Sequence, residues 1–441
     1  MNITKGTILF FIMVLAGALP VSAQQGTSGT EAAAPPAAAA VPVIKPSLPA
    51  GGMAAEWEFL KTRGKDKDED VAAIVLPELS DWLKLYPDSE YAAEAQLLKA
   101  EIHLKLGDYR SAIVDLLKHT QEYPDSGSNA SAVKLLGETL DKKMDKKTRP
   151  VLSEAGKAPE AGGKAERLAA LLKKLAERAG GELYEPVAGE LREFSGRFPS
   201  YAGRDELYLA LGDLHFKKEE YLRARLAYEK LITLYPDSRL LVKAKRSLGD
   251  VLANNLKDYD GAISVYQDVA ANYPGTEEAW AAYGQLAKLS ERQKRYGLAV
   301  DVHEKIIALY PEKAAAYDSF QAEARILRDE LSKPAEAAAV LGRLADKYKG
   351  EKAIEALYLA AKIAKKDLKD LEAEIKMYGR ISTEYPNDKE APKALFASAE
   401  AYEAAQNFEQ ARAYYGKVSE KYPEDSLSAK AQKRLNAIIN K

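Results

Sequence analysis

Hydrophobic positions recur along this chain with two nested periods. The longer is marked by an aromatic residue, nearly always followed by proline: Tyr86, Tyr123, Phe198, Tyr235, Tyr273, Tyr310, Tyr385 and Tyr422, with Tyr348 continuing the series ahead of Lys349. The intervals are 37, 75, 37, 38, 37, 38, 37 and 37, so one is two periods long and the others are single. The shorter period is helical. Seven residues before the aromatic stand Leu116, Leu191, Tyr228, Tyr266, His303, Leu341, Tyr378 and Tyr415; four before it stand His119, Phe194, Leu231, Val269, Ile306, Leu344, Ile381 and Val418. With Ala112, Val187, Ala224, Ala262, Ala299, Ala337 and Ala411 at eleven before, they form one stripe of a helix.

Proline lacks an N–H and disfavours helical geometry in the residue before it, so each aromatic–proline pair stops a helix. The Asp or Ser that follows, as in Tyr235-Pro236-Asp237-Ser238, can accept from the free N–H groups opening the next helix. Thirteen residues after the proline position comes a small residue, namely Ala100, Gly137, Gly212, Gly249, Ala287, Ala324 and Ala399. A small side chain at a fixed point lets two helix backbones approach closely. The pattern predicts an all-α chain of helical hairpins with a period of about 37 residues, stacked as a solenoid. Helices of ~12 to 15 residues are marginal alone in water, so each hairpin depends on its neighbours.

The unit carrying Leu211-Gly212, Tyr221, Ala224, Tyr228 and Pro236 resembles a tetratricopeptide repeat (TPR), although the usual period of about 34 residues is shorter than the one here. The resemblance covers residues from about 54 to 441 and implies a right-handed superhelix whose inner, concave surface is lined by the first helix of each hairpin. The longer unit with Tyr-Pro-Asp-Ser is similar to TPR proteins of the bacterial periplasm, of the Tol–Pal-associated cell-division coordinator and outer-membrane assembly lipoprotein type. That similarity implies a binding scaffold in the cell envelope, with an envelope protein or peptide as partner.

Residues 1–23 carry Lys5, the apolar run Ile8 to Ala16, Pro20 and the triplet Val21-Ser22-Ala23, a pattern that predicts a secretory signal peptide cleaved after Ala23. The protein is then expected to be periplasmic or secreted. An uncleaved membrane anchor is the alternative, against which the run falls short of the ~20 residues a spanning helix needs. No other stretch could span a bilayer, so no membrane span is expected after signal cleavage. Zero Cys means no lipid-bearing cysteine and no disulfide. Residues 24–53 are an Ala/Pro-rich leader whose composition cannot bury a core. Residues 54–140 are expected to form an N-terminal set of repeats and 164–422 a C-terminal set. Between them, 141–163 breaks the pattern with a lysine-rich run and a Gly/Ala/Pro stretch, and is expected to be an irregular loop or hinge. The tail 423–441 is expected to be a capping helix. Two units depart locally, with Pro334 where Tyr is expected and Glu374 where Ala is expected.

The chemistry-bearing residues offer no catalytic constellation. All four histidines, His103, His119, His215 and His303, fall on the repeat lattice, and no pair has the i, i+4 spacing of a helical zinc site. Gly162-Gly163-Lys164-Ala165 lacks both the first Gly of a phosphate loop and the Ser or Thr that would hold magnesium. Carboxylates are dispersed rather than paired. The expectation is no enzyme, no catalytic or metal-binding residues, no cofactor and no small-molecule substrate. Lys and Arg number 64 against 66 Asp and Glu, a net charge of −2 that offers no global attraction to nucleic acid.

Transferring the groove positions of the TPR family places an acidic row one residue after the small residue: Glu101, Glu138, Asp213, Asp250 and Glu400, with Lys288 and Arg325 in later units. Beside it stand Leu97, Leu209, Arg246 and Phe396, each four residues before the member of the acidic row in its unit, and Phe216 three residues after Asp213. Such a surface would suit a partner segment with basic residues between apolar anchors. The competing expectation is a structural spacer or assembly subunit that works through its convex face or its ends.

Overall fold

The computed structural model describes residues 52–157 and 162–438. The expected signal peptide and almost all of the expected leader lie outside them. The described residues hold helices and no strands, arranged as hairpins in which the first helix ends in a tight turn and the second ends at the recurring aromatic. In order these are α1 (Gly52–Gly64) with α2 (Glu69–Leu85), and α3 (Ala92–Lys105) with α4 (Tyr109–Glu122). An irregular pair follows, α5 (Asn129–Lys143) and α6 (Thr148–Ala155). Then come α7 (Lys164–Arg178) with α8 (Tyr184–Arg197), α9 (Arg204–Lys217) with α10 (Tyr221–Leu234), α11 (Leu241–Asp250) with α12 (Tyr259–Asn272), and α13 (Glu277–Arg292) with α14 (Tyr296–Leu309). The last hairpins are α15 (Ala314–Arg325) with α16 (Pro334–Lys347), α17 (Glu351–Ile363) with α18 (Leu371–Glu384), and α19 (Ala391–Ala404) with α20 (Phe408–Lys421); α21 (Ser426–Ile438) packs on α20. The fold is an all-α helical repeat.

Each predicted stop is visible as geometry. The amide of Tyr235 makes the last helical bond to Leu231 O at 2.9 Å, and its backbone then leaves the helix at φ −132°, ψ 62°. Tyr348, which Lys rather than Pro follows, leaves differently at φ −98°, ψ 161°. Second helices open on side-chain caps where the sequence supplies them: Asp108, Asp258, Asp370 and Asn407 each accept from the amide three residues on.

The small residues of the first helices do two different things. At Gly212 and Gly249 an added Cβ would lie 2.4 Å and 2.6 Å from the ring edges of Tyr228 and Tyr266, which fill the hairpin interior. At Gly137 the same atom would meet nothing, and the residue is exposed. Only the first two serve close approach. Three first helices also widen into π turns at their ends, Val251–Leu256, Ile326–Glu330 and Ala364–Leu368. The amide that closes the turn then bonds six residues back, Asp258 to Leu252, Lys333 to Leu327 and Asp370 to Ala364, rather than five as from Glu220 to His215. The extra residue is absorbed inside the helix and the hairpin still closes.

The stretch 141–163 is not wholly irregular, because α6 lies within it. Instead of α5 alone covering α4, the chain passes through α6 so that α7 and α8 also pack on α4. As a result every residue from Ala112 to Glu122 is buried, polar ones included.

Candidate partner-binding surface

The first helices carry the expected row, but its members do unlike work. Glu101, Glu138 and Glu400 are exposed. Asp213 is half-buried and accepts the Tyr228 hydroxyl at 2.7 Å; Asp250 accepts the Tyr266 hydroxyl at 2.7 Å and has the Arg246 guanidinium 3.6 Å away. Burial together with those carboxylates pushes both phenols far above their ordinary range. These two acids therefore fix core tyrosines as well as facing outward. Tyr415 bonds Glu403 at 2.8 Å instead of Glu400, which leaves Glu400 free of that duty.

The apolar members also divide. Leu209 belongs to the core and shares with Asp213 a cleft of about 380 Å³ bounded by Lys173 and Glu177 of α7 and Lys243 of α11. Phe216, one turn further along α9, is 42% exposed and packs its ring edge-on to Tyr221 at 5.9 Å. Leu97 is half-buried against the core that runs from α3 to α10, and Phe396 is half-buried with its ring 5.4 Å from Tyr415. The structure thus brings Leu209, Asp213 and Phe216 together on α9. It puts Glu138 on α5, in the irregular pair, apart from that helix.

The histidines are engaged in packing. His119 is buried, with Nε2 2.9 Å from Ser128 Oγ, and burial pulls it down to about 4. His215 lies 2.9 Å from the Tyr184 hydroxyl and is likewise pulled down to about 4 by burial, with Arg192 and Arg223 adding to it. His303 contacts Ser319 at 3.1 Å and Glu291 at 3.2 Å. Lys164, which ends the phosphate-loop lookalike, opens α7 with its amine 2.9 Å from Asp88. Among the described residues no group of three or more His, Asp or Glu is arranged to hold a metal, and no helix is long and apolar enough to cross a membrane.

One constellation was not legible from the repeat pattern. Between α2, α3, α4 and α8 lies a cavity of about 230 Å³ walled by charge. Asp115 receives Gln96 Nε2 at 2.9 Å, His103 Nδ1 at 2.8 Å and Lys99 at 3.2 Å; Lys118 meets Glu190 at 2.6 Å. Arg197 grips Glu122 with bonds of 2.9 and 3.0 Å. Burial alone would raise the Asp115 carboxyl, but Lys99, His103 and Lys118 outweigh it and hold the group well below the usual carboxylate range. Glu190 is held low in the same way, by Lys118, Lys99 and Arg197 against burial. Three cations face three carboxylates, so the cluster is internally balanced and joins α8 to α4.

With this geometry in view, comparison with known proteins gives the class. Two tetratricopeptide-repeat family models match, one over residues 209–277 and 249–314, the other over 355–388 and 393–425. The chain therefore contains tetratricopeptide repeats, and the matched residues fall among the regular hairpins from α9 to α20. No curated protein matches it. Among solved structures it is similar to PilW, a type IV pilus biogenesis factor, at 17% identity over 52% of this chain and 99% of that one with a TM-score of 0.28. A TPR protein from Parabacteroides merdae is 13% identical over 68% of this chain and 96% of that one, TM-score 0.25. The P58(IPK) TPR domain is 16% identical over 80% and 99%, TM-score 0.23. Likeness at this level says nothing about what this chain binds.

Proposed function

We propose that this protein is an exported, non-catalytic scaffold that holds a protein or peptide partner of the cell envelope against the first helices of its hairpins. The observation that carries the reading is α9: a hairpin locked internally by Tyr228 and Gly212 presents Phe216 to solvent beside the cleft floored by Leu209 and Asp213. A rigid core beneath an exposed aromatic next to a cleft is what a peptide-binding helix face requires. The apolar run before Val21-Ser22-Ala23 supports export.

The test separates binding from folding. Charge reversal at Glu101, Glu138 and Glu400, none of which has a hydrogen bond or ion pair to another described residue, should weaken capture of the partner from intact cells without lowering thermal stability. Asp213 and Asp250 are unsuited to that experiment because reversing them unseats a buried tyrosine hydroxyl. Undiminished capture by the triple variant would remove the acidic row as the binding surface. Sequencing the mature N-terminus in the same preparation should give Gln24, and retention of Met1 would overturn export.

A further inference from the structure

The two ends of the array are finished differently. At the C-terminal end α21 turns Lys430 and Lys433 to solvent, the polar outer face that a terminal element of a repeat array needs. At the N-terminal end two large apolar side chains are exposed instead, Phe59 of α1 at 53% and Ile74 of α2 at 65%.

Both look away from the array. At about 3.6 residues per turn, Phe59 lies on the flank of α1 opposite Lys61, which reaches α3 through its 3.0 Å pair with Glu94. Ile74 lies on the flank of α2 opposite Leu83, which lines the cavity shared with α3, α4 and α8. The two are also level. Phe59 stands five residues before Gly64, the end of α1, and Ile74 five after Glu69, the start of α2, so the antiparallel pair sets them side by side. About one turn further from the hairpin turn stand Glu56 and Glu78, both exposed and neither with a hydrogen bond or ion pair among the described residues. The outer face of this hairpin is an apolar pair with two unpaired carboxylates at the end where α1 begins.

Its size decides what can cover it. Phe59 and Ile74 together expose on the order of 200 Å², against roughly 800 Å² per partner in a stable complex. A second copy or a free partner would be held weakly there. A segment of the same chain would not, because tethering gives it an effective concentration of about millimolar. Such a segment adjoins the face. Residues 41–49, Val-Pro-Val-Ile-Lys-Pro-Ser-Leu-Pro, differ from the Ala-, Gly- and Gln-rich stretch before them, and Lys45 is the one basic residue between 24 and 51. Their apolar side chains are too few for a core of their own but can add to one already built. Three prolines bias the stretch to extended backbone, which lowers the cost of ordering it. Ile44 is eight residues from Gly52, a reach of about 25 Å when extended, and Phe59 lies only about 10 Å along α1 from the same point.

We infer that residues 41–49 fold back over the outer face of α1 and α2, seating Ile44 against Phe59 and Ile74 with Lys45 beside Glu56 and Glu78. The leader is then a strap that closes the N-terminal end of the array as α21 closes the other. This goes beyond the proposed scaffold and needs neither partner nor export to hold.

The test places a photoreactive side chain at position 59 of the purified full chain and maps the products by mass spectrometry. Phe59 is exposed, so the substitution spares the core. The expected product is a crosslink within one chain to residues 41–49, at a yield unchanged by tenfold dilution. Ile44→Asp should cut that yield about tenfold, and Lys45→Glu should cut it at low salt by a smaller factor. A crosslink to a second chain that fades on dilution, no crosslink to residues 41–49, or one that Ile44→Asp leaves undiminished would overturn the inference.

Discussion

Helices α4 and α10 carry the same repeat pattern and meet opposite fates. In α10 the stripe of Ala224, Tyr228 and Leu231 is buried while Leu222, Leu226 and Lys230 face solvent. In α4 the equivalent stripe of Ala112, Leu116 and His119 is buried, and so are Asp115, Lys118, Thr120, Gln121 and Glu122. Local pattern sets which face a repeat helix turns toward its own hairpin. Whether the other face is wet depends on what the chain brings back, and here α7 and α8 return to cover it. The ion pairs that make this tolerable join residues 72 and 75 positions apart, Lys118 with Glu190 and Glu122 with Arg197. A buried charge left without its partner is strongly destabilising, whereas an exposed pair contributes little.

The sharpest way to break the comparison is to remove one member of each kind of pair. Arg197→Ala should destabilise by about 3 kcal/mol or more in urea denaturation, because it strands Glu122, which is 1% exposed. Arg225→Ala, which removes an exposed i, i+4 pair with Glu229, should change stability by less than about 0.5 kcal/mol. Equal effects would mean the α4 cluster is no more than surface charge.

The same contrast holds within one motif. Gly212→Ala should cost about 1–3 kcal/mol by forcing the Tyr228 ring out of place. At Gly137, where the new methyl meets open space, the same change should stabilise by about 0.5–1 kcal/mol. Thermal denaturation of the two variants decides it.

Acid should act with opposite signs on the α4 cluster and on Glu323 of α15. Asp115 and Glu190 are depressed in the fold, so their contribution is present above the ordinary carboxylate range and is lost as pH falls through their folded values. Hydrogen exchange should therefore show α4 opening before α14 on acidification. Glu323 is raised to about 7, chiefly by burial, with Arg343 opposing the shift. Its contribution is full below the unfolded value and declines as pH rises toward about 7. Glu323→Gln should flatten that slope and stabilise the protein at pH 8 by about 1 kcal/mol.

A further small effect concerns the hairpin turns. Lys257 and Lys369 hold left-handed backbone at φ 60° and 53°, where the N-terminal hairpin has Gly107 at φ 77°. Glycine at either position should stabilise by about 0.5 kcal/mol in the same denaturation assay.

Much of this fold can be read from the chain. The Tyr-Pro punctuation and the three- and four-residue steps locate the second helices, and α10 begins at Tyr221 as the spacing requires. The π turns also had a signal: Gly249 to Tyr259 and Ala324 to Pro334 span ten residues where Gly212 to Tyr221 spans nine. In the α17 hairpin the same ten-residue count runs from the fully buried Ala361 to Leu371, which explains why Lys362 occupies the expected place of the small residue. What could not be read is long-range. Nothing local to Asp115 or Glu122 reveals that Arg197 and Glu190 will arrive, and the helical Thr148–Ala155 follows a lysine-rich run and has no aromatic stripe. The outward-facing row was legible as positions, yet only contact geometry separates Glu101 and Glu400 from Asp213 and Asp250, which hold tyrosines.

The most direct test of the binding face is a photo-crosslinking residue introduced at Phe216, on α9, and separately at Leu222, which is 65% exposed on α10. Crosslinking in intact cells should join the partner to the Phe216 position and leave the Leu222 position unjoined. Capture from Leu222 with none from Phe216 would contradict the account and turn the working surface to the second helices.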